Sequence, residues 1–80
     1  MTKIYTYGHE VYNTEKEIYD RLYKLNEEML EDWGYTVVKP YKEKIKVVND
    51  NEVIHIWTRT IQYDGYKSNN SFRYREKTIK

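Results

Sequence analysis

From Lys3 to Tyr7 the residues alternate, with Tyr5 and Tyr7 on one face and Ile4 and Thr6 on the other. That period of two predicts a short strand, ended by Gly8. A connector runs from His9 to Asn13, and Thr14-Glu15-Lys16-Glu17 then matches a capping box, in which the Thr14 hydroxyl and the Glu17 carboxylate satisfy each other's free backbone donors. Ile18, Leu22, Leu25 and Met29 recur at spacings of four, three and four, and Tyr19, Leu30 and Trp33 widen this apolar stripe on one flank. The stripe is expected to face the core. With Gly34 as the left-handed closing residue, the helix runs from about Thr14 to Trp33, roughly 30 Å.

The period then returns to two. Tyr35, Val37, Tyr41, Ile45 and Val47 share one parity between Tyr35 and Val48, while Lys42, Lys44 and Lys46 share the other. Pro40 donates no ladder hydrogen bond, so it marks an edge, a bulge or a break between two shorter strands. Asn49-Asp50-Asn51 reads as a hairpin turn into a strand from about Glu52 to Tyr63. Facing in that strand is ambiguous, because Ile54 and Ile56 favour one parity and Val53, Trp57, Ile61 and Tyr63 the other, and a bulge near Trp57 to Arg59 reconciles them. Asp64-Gly65 and Lys67-Ser68-Asn69-Asn70-Ser71 are expected to form a polar, mobile loop before a last strand from Phe72 to Ile79. In that strand Phe72 and Tyr74 face one way, and Arg73, Arg75 and Lys77 the other. The expectation is a single α+β domain over residues 1–80: one long amphipathic helix on a three- to four-stranded antiparallel sheet, in the order β-α-β-β-β.

Composition changes this picture in one respect. Ten tyrosines accompany Trp33, Trp57 and Phe72, while leucine is limited to Leu22, Leu25 and Leu30. A domain this small buries only about 60% of its unfolded surface, so one helix on one sheet cannot enclose all thirteen rings. The remainder is expected at a binding surface, where tyrosine offers contact area at low entropic cost. The chain has no cysteine, which excludes disulfides and fits a cytoplasmic setting. No apolar run reaches the roughly 20 residues of a membrane span, and the N-terminus lacks a signal-peptide pattern. Alanine is missing while Lys, Tyr, Asn, Ile and Glu abound, the bias that AT-rich codons impose, which points to a low-GC bacterium, its phages or its mobile elements.

Charge is divided by element although the net is +1. Glu10 to Trp33 holds eight acidic and three basic residues, and Gly34 to Lys80 ten basic and five acidic. The helix is expected to present an acidic solvent face with Asp20 and Lys24 as an i,i+4 pair, and that face doubles as a candidate docking surface through Tyr12, Tyr19, Tyr23, Asp20, Glu27 and Glu31. Tyr63 and Tyr66 are candidate anchors on the strands and loop. On the sheet, Lys42, Lys44, Lys46, Arg73, Arg75 and Lys77, together with Trp57 and Arg59 on a central strand, compose a candidate nucleic-acid face. There the cations would follow phosphates and the rings would stack on bases. The same lysines also serve solubility and edge protection.

Catalytic signals are sparse. His9 and His55 are far apart and no zinc spacing is present, so neither a metal nor any other cofactor is expected. Gly8, Gly34 and Gly65 are isolated and form no phosphate loop, and Ser68 and Ser71 have no histidine nearby in sequence. A sheet presenting His55, Arg59, Arg73, Tyr74 and Arg75 offers a general base and phosphate clamps for a metal-free ribonuclease. In size and in the composition of that face alone the chain resembles bacterial ribosome-dependent toxins, although those have two helices before the sheet and a basic net charge, and no residue carries over from them. The reading that follows is a non-enzymatic binding protein, an inhibitor or modulator from a phage or mobile element that occludes a surface of a host protein. The alternative is a nucleic-acid-binding domain using the sheet, and a homodimer formed through edge strand Lys3 to Tyr7 or Phe72 to Ile79 is a third arrangement.

Overall fold

The helix forms where its caps place it. In the computed structural model, which describes residues 2–79, α1 spans Glu15–Trp33; the Thr14 side chain accepts from the Glu17 amide, and Gly34 closes the helix at φ 75°. That φ suits glycine, which carries no Cβ to clash. Five strands surround it in sequence: β1 (Thr2–Tyr7), β2 (Glu10–Tyr12), β3 (Thr36–Asn49), β4 (Glu52–Tyr63) and β5 (Tyr66–Ile79). They form one antiparallel sheet in the spatial order β2-β1-β5-β4-β3.

The α+β class stands, with one strand more than expected. β2 lies in what reads as a connector; three residues are too few to show a period, and pairing with β1 across the Gly8 turn makes them a strand. A second correction concerns Lys67 to Ser71. These residues are not a loop but the first half of β5, paired with β4 from Tyr63↔Tyr66 onward. The turn is reduced to Asp64-Gly65, both at positive φ, as the tightest hairpin connections require. Low strand propensity in this polar run is overridden by tertiary context: Asn70 is buried and hydrogen-bonded on both ends of its amide.

No bulge lies at Trp57 to Arg59, since β4 pairs with β5 without a break. The register shifts are on β3, between Val37 and Lys39, Lys39 and Lys42, and Val47 and Asn49, so Pro40 sits in a bulged edge strand. β4 therefore has one constant parity: Val53, His55, Trp57, Arg59, Ile61 and Tyr63 face α1, and Ile54 and Ile56 face away. β1 and β5 are both interior to the sheet, so neither is the free edge that the proposed dimer needs.

Between α1 and the sheet, Tyr5, Ile18, Leu22, Phe72 and Tyr74 form the core, with Tyr12, Tyr19, Leu25, Tyr41 and Trp57 packed around it. Burying Ile18 and Leu22 completely contributes about 1.5–3 kcal/mol each. Phe72 takes Tyr19 and Tyr41 edge-on at 5.5 and 5.0 Å, the geometry aromatic quadrupoles favour. Rings thus replace scarce aliphatics. The helix stripe is covered only in part: Met29 and Trp33 stay exposed, contrary to the expected core-facing role. On β3 only Tyr41 of the apolar parity packs inward, while Val37, Ile45 and Val47 are open. The domain is elongated, 49 × 20 × 17 Å. Among the described residues no helix is long and apolar enough to cross a membrane.

Candidate functional site

Parity along β4 and β5 distributes the chemistry over two faces. On the face under α1, Arg59 is only 4% exposed and every side of it is occupied. Its Nε donates to Asn70 Oδ1 at 3.1 Å, its guanidinium lies 4.2 Å from the Tyr41 ring centroid, and its Nη2 makes ion-pair contact with Glu27 Oε1 without hydrogen-bond alignment. Tyr41 Oη donates to the same Asn70 oxygen, and Asn70 Nδ2 donates to Asn26 Oδ1 of the helix. Arg59 thereby ties α1 to β3, β4 and β5. Burial pushes the Tyr41 hydroxyl up to about 12, with the neighbouring Arg59 charge opposing it.

Farther along the same face His55 is buried and stacked on Tyr74, ring centroids 5.0 Å apart. Its Nδ1 is 3.2 Å from Glu43 Oε2 and its Nε2 is 3.2 Å from Glu76 Oε1. Each ring nitrogen thus faces a carboxylate oxygen, which can only accept. Tyr74 Oη donates to Glu15 Oε1 and accepts from Trp57 Nε1, and burial foremost raises its pKa. Glu15, Glu43 and His55 bring potential ligand atoms within 4.8 Å of one another, yet both imidazole nitrogens already face carboxylates. The cluster is an internal polar network that, through Tyr74 and Glu15, joins helix to sheet.

The ribonuclease constellation is not assembled. His55, Arg59 and Tyr74 lie beneath the helix, whereas Arg73 and Arg75 are exposed on the opposite side of the sheet. The same division takes Trp57 and Arg59 away from the basic face. Six of its expected residues do come together there: register sets Lys44, Ile56 and Arg73 in one row and Lys46, Ile54 and Arg75 in the next, flanked by Lys42 and Lys77.

Of the helix-face candidates, Tyr19 is drawn into the core against Trp57 at 4.9 Å, and Glu27 is taken by Arg59. Tyr12 donates to Glu10, which also pairs with Arg21. Asp20 pairs with Lys16 at 2.7 Å, not with Lys24. Tyr23 remains partly exposed, stacked on Tyr19, and Glu31 is exposed. Tyr19, Tyr23 and Glu27 line one groove of about 350 Å³ with Val37, Pro40, Tyr41 and Arg59.

A second aromatic surface, more exposed, lies at the end of the helix. There the inner face of the β4–β5 hairpin is uncovered, with Trp33 67% and Tyr66 79% exposed. A groove of about 210 Å³ is lined by Met29, Leu30, Trp33, Tyr35 and Ile61 on its apolar side and by Ser68 to Asn70 on the other. Tyr35 packs on Tyr63 at 5.3 Å, and Tyr63 and Tyr66 stand directly opposite each other in the hairpin. Tyr63 and Tyr66 are legible as anchors in the sequence. Met29, Trp33 and Tyr35 are not, because their spacing matches that of core residues, yet Met29 and Trp33 are exposed and Tyr35 is half-buried. No protein-family model, curated protein or solved structure matches the chain.

Proposed function

We propose that the chain is a protein-binding module that docks a basic, apolar-bearing segment of a partner protein on the aromatic end of α1 and the β4–β5 hairpin. The observation that carries this reading is the coincidence of an open aromatic groove with uncompensated negative charge. The last turns of α1 bear Glu28, Glu31 and Asp32, and its final turn holds no basic residue. A helix C-terminus already carries the negative end of the macrodipole, so carboxylates there are destabilising. A cationic partner relieves that repulsion, and Trp33 and Tyr66 supply the ring surface that dominates interface energetics. The finer role is occlusion: the module acts by covering a host protein's surface.

The test is capture from a nuclease-treated low-GC bacterial lysate on immobilised wild type, Trp33→Ala and the double variant Glu31→Lys/Asp32→Lys. The expected result is a stoichiometric protein retained by wild type and lost from both variants, with Trp33→Ala weakening binding by about 2 kcal/mol or more as hot-spot rings do. An identical retained set on all three ends the reading.

A further inference from the structure

Among the described residues no layer packs on the opposite face of the sheet. Its residues are Thr2, Ile4 and Thr6 of β1, the odd positions of β5 and the even positions of β4, with Lys42, Lys44 and Lys46 of β3 in register beside them. The two cationic ribs, Lys42/Lys44/Lys46 and Arg73/Arg75/Lys77, flank β4 at a separation of about 10 Å, two strand spacings, with charges about 7 Å apart along each rib. Between them run Ile54, Ile56 and Thr58. One acid shares the face: Glu52, which pairs with Arg75 at 2.9 Å. Among the described residues, Lys42, Lys44, Lys46, Arg73 and Lys77 have no ion-pair partner.

The acids interleaved with these cations in sequence, Glu43 and Glu76, are turned through the sheet onto His55. The alternation thus sorts a nearly neutral stretch into a basic outer face and an inner one that carries the acids. A groove of about 480 Å³ beside β5, lined by Thr6, Tyr7, Gly8, Ile54, Arg73, Tyr74, Arg75 and Lys77, adds hydroxyls and an open turn to the cations. Among the described residues no aromatic ring stands between the ribs, where an unpaired base would stack.

We infer that the outer face of β3, β4 and β5 binds the phosphodiester backbone of a nucleic-acid duplex, without reading its sequence. The inference is independent of the protein-binding reading and uses other residues. The experiment is fluorescence anisotropy of labelled duplex DNA, duplex RNA and single strands of the same sequence at several salt concentrations, for wild type, Lys44→Ser, Arg73→Ser and Trp33→Ala. Duplex affinity is expected to fall linearly on a log–log salt plot with a slope near −0.9 per phosphate neutralised. Lys44→Ser and Arg73→Ser are each expected to reduce that slope by about one, while Trp33→Ala leaves it unchanged. DNA and RNA arms separate the two sources of backbone. Salt-independent affinity, slopes unaltered in both outer-face variants, tighter binding to single strands, or equal competition by polyglutamate each overturns the inference. Loss of partner capture in Trp33→Ala with duplex binding intact leaves it standing.

Discussion

Arg59 and Arg73 stand on neighbouring strands of one sheet and share nothing in their surroundings. Arg59 points under α1, where a ring, an amide and a carboxylate surround the guanidinium; Arg73 points the other way, exposed beside Lys44 and Ile56. The difference teaches that residue type does not assign role here; strand parity does. A buried guanidinium must have partners because its desolvation is costly, so Arg59 is committed to the fold. An exposed one keeps its hydration and its capacity for a ligand. The histidine cluster extends the comparison, since the same parity places Glu43 and Glu76 on the inner face against His55 and away from the outer cations.

Three changes break or sharpen this contrast. The largest effect is expected from Arg59→Met, which leaves the half-exposed Glu27 without its cation and Asn70 Oδ1 with Tyr41 as its remaining donor. Removing the buried partner of these polar groups costs about 1–3 kcal/mol, read as a lowered urea midpoint, and a loss below about 0.5 kcal/mol would show that the inner network is dispensable. Next comes alkaline titration. Burial holds the Tyr41 proton to about 12 against an ordinary 10.0, and Tyr74 is raised by the same cause. The native state therefore binds these protons more tightly than the unfolded chain, so their contribution is intact below about 10 and lost as pH climbs through 10 toward 12. Chemical denaturation across that range should show stability falling steadily, and a flat profile would mean the two hydroxyls are not sequestered. The smallest effect is expected from Lys44→Ser or Arg73→Ser, each within about 0.5 kcal/mol of wild type. A larger destabilisation would make the outer cations structural and place them with Arg59.

Much of the architecture was legible because local rules and the fold agree. Thr14, the stripe beginning at Ile18 and Leu22, and Gly34 fix the helix to within a residue, since caps and a 3.6-residue period act locally. The parity of Phe72 and Tyr74 against Arg73 and Arg75 was equally plain. The candidate docking site was legible only in part: Tyr63 and Tyr66 are exposed, whereas Tyr19, Glu27, Trp57 and Arg59 are consumed by the interior. Nothing in the local spacing of Trp33 distinguishes a covered stripe residue from an overhanging one.

The sequence by itself determined a capped amphipathic helix, strands of alternating character and a separation of acidic from basic segments, because each follows from spacing along the chain. The tertiary structure alone decided which side of β4 is inside, that Asn70 belongs to a strand, and that Met29 and Trp33 remain open. The physical reason is that polar residues can occupy a core position only when partners distant in sequence meet them there. Asn26 for Asn70, Glu27 for Arg59, and Glu43 with Glu76 for His55 are brought together by the packing of α1 and the pairing of β3, β4 and β5.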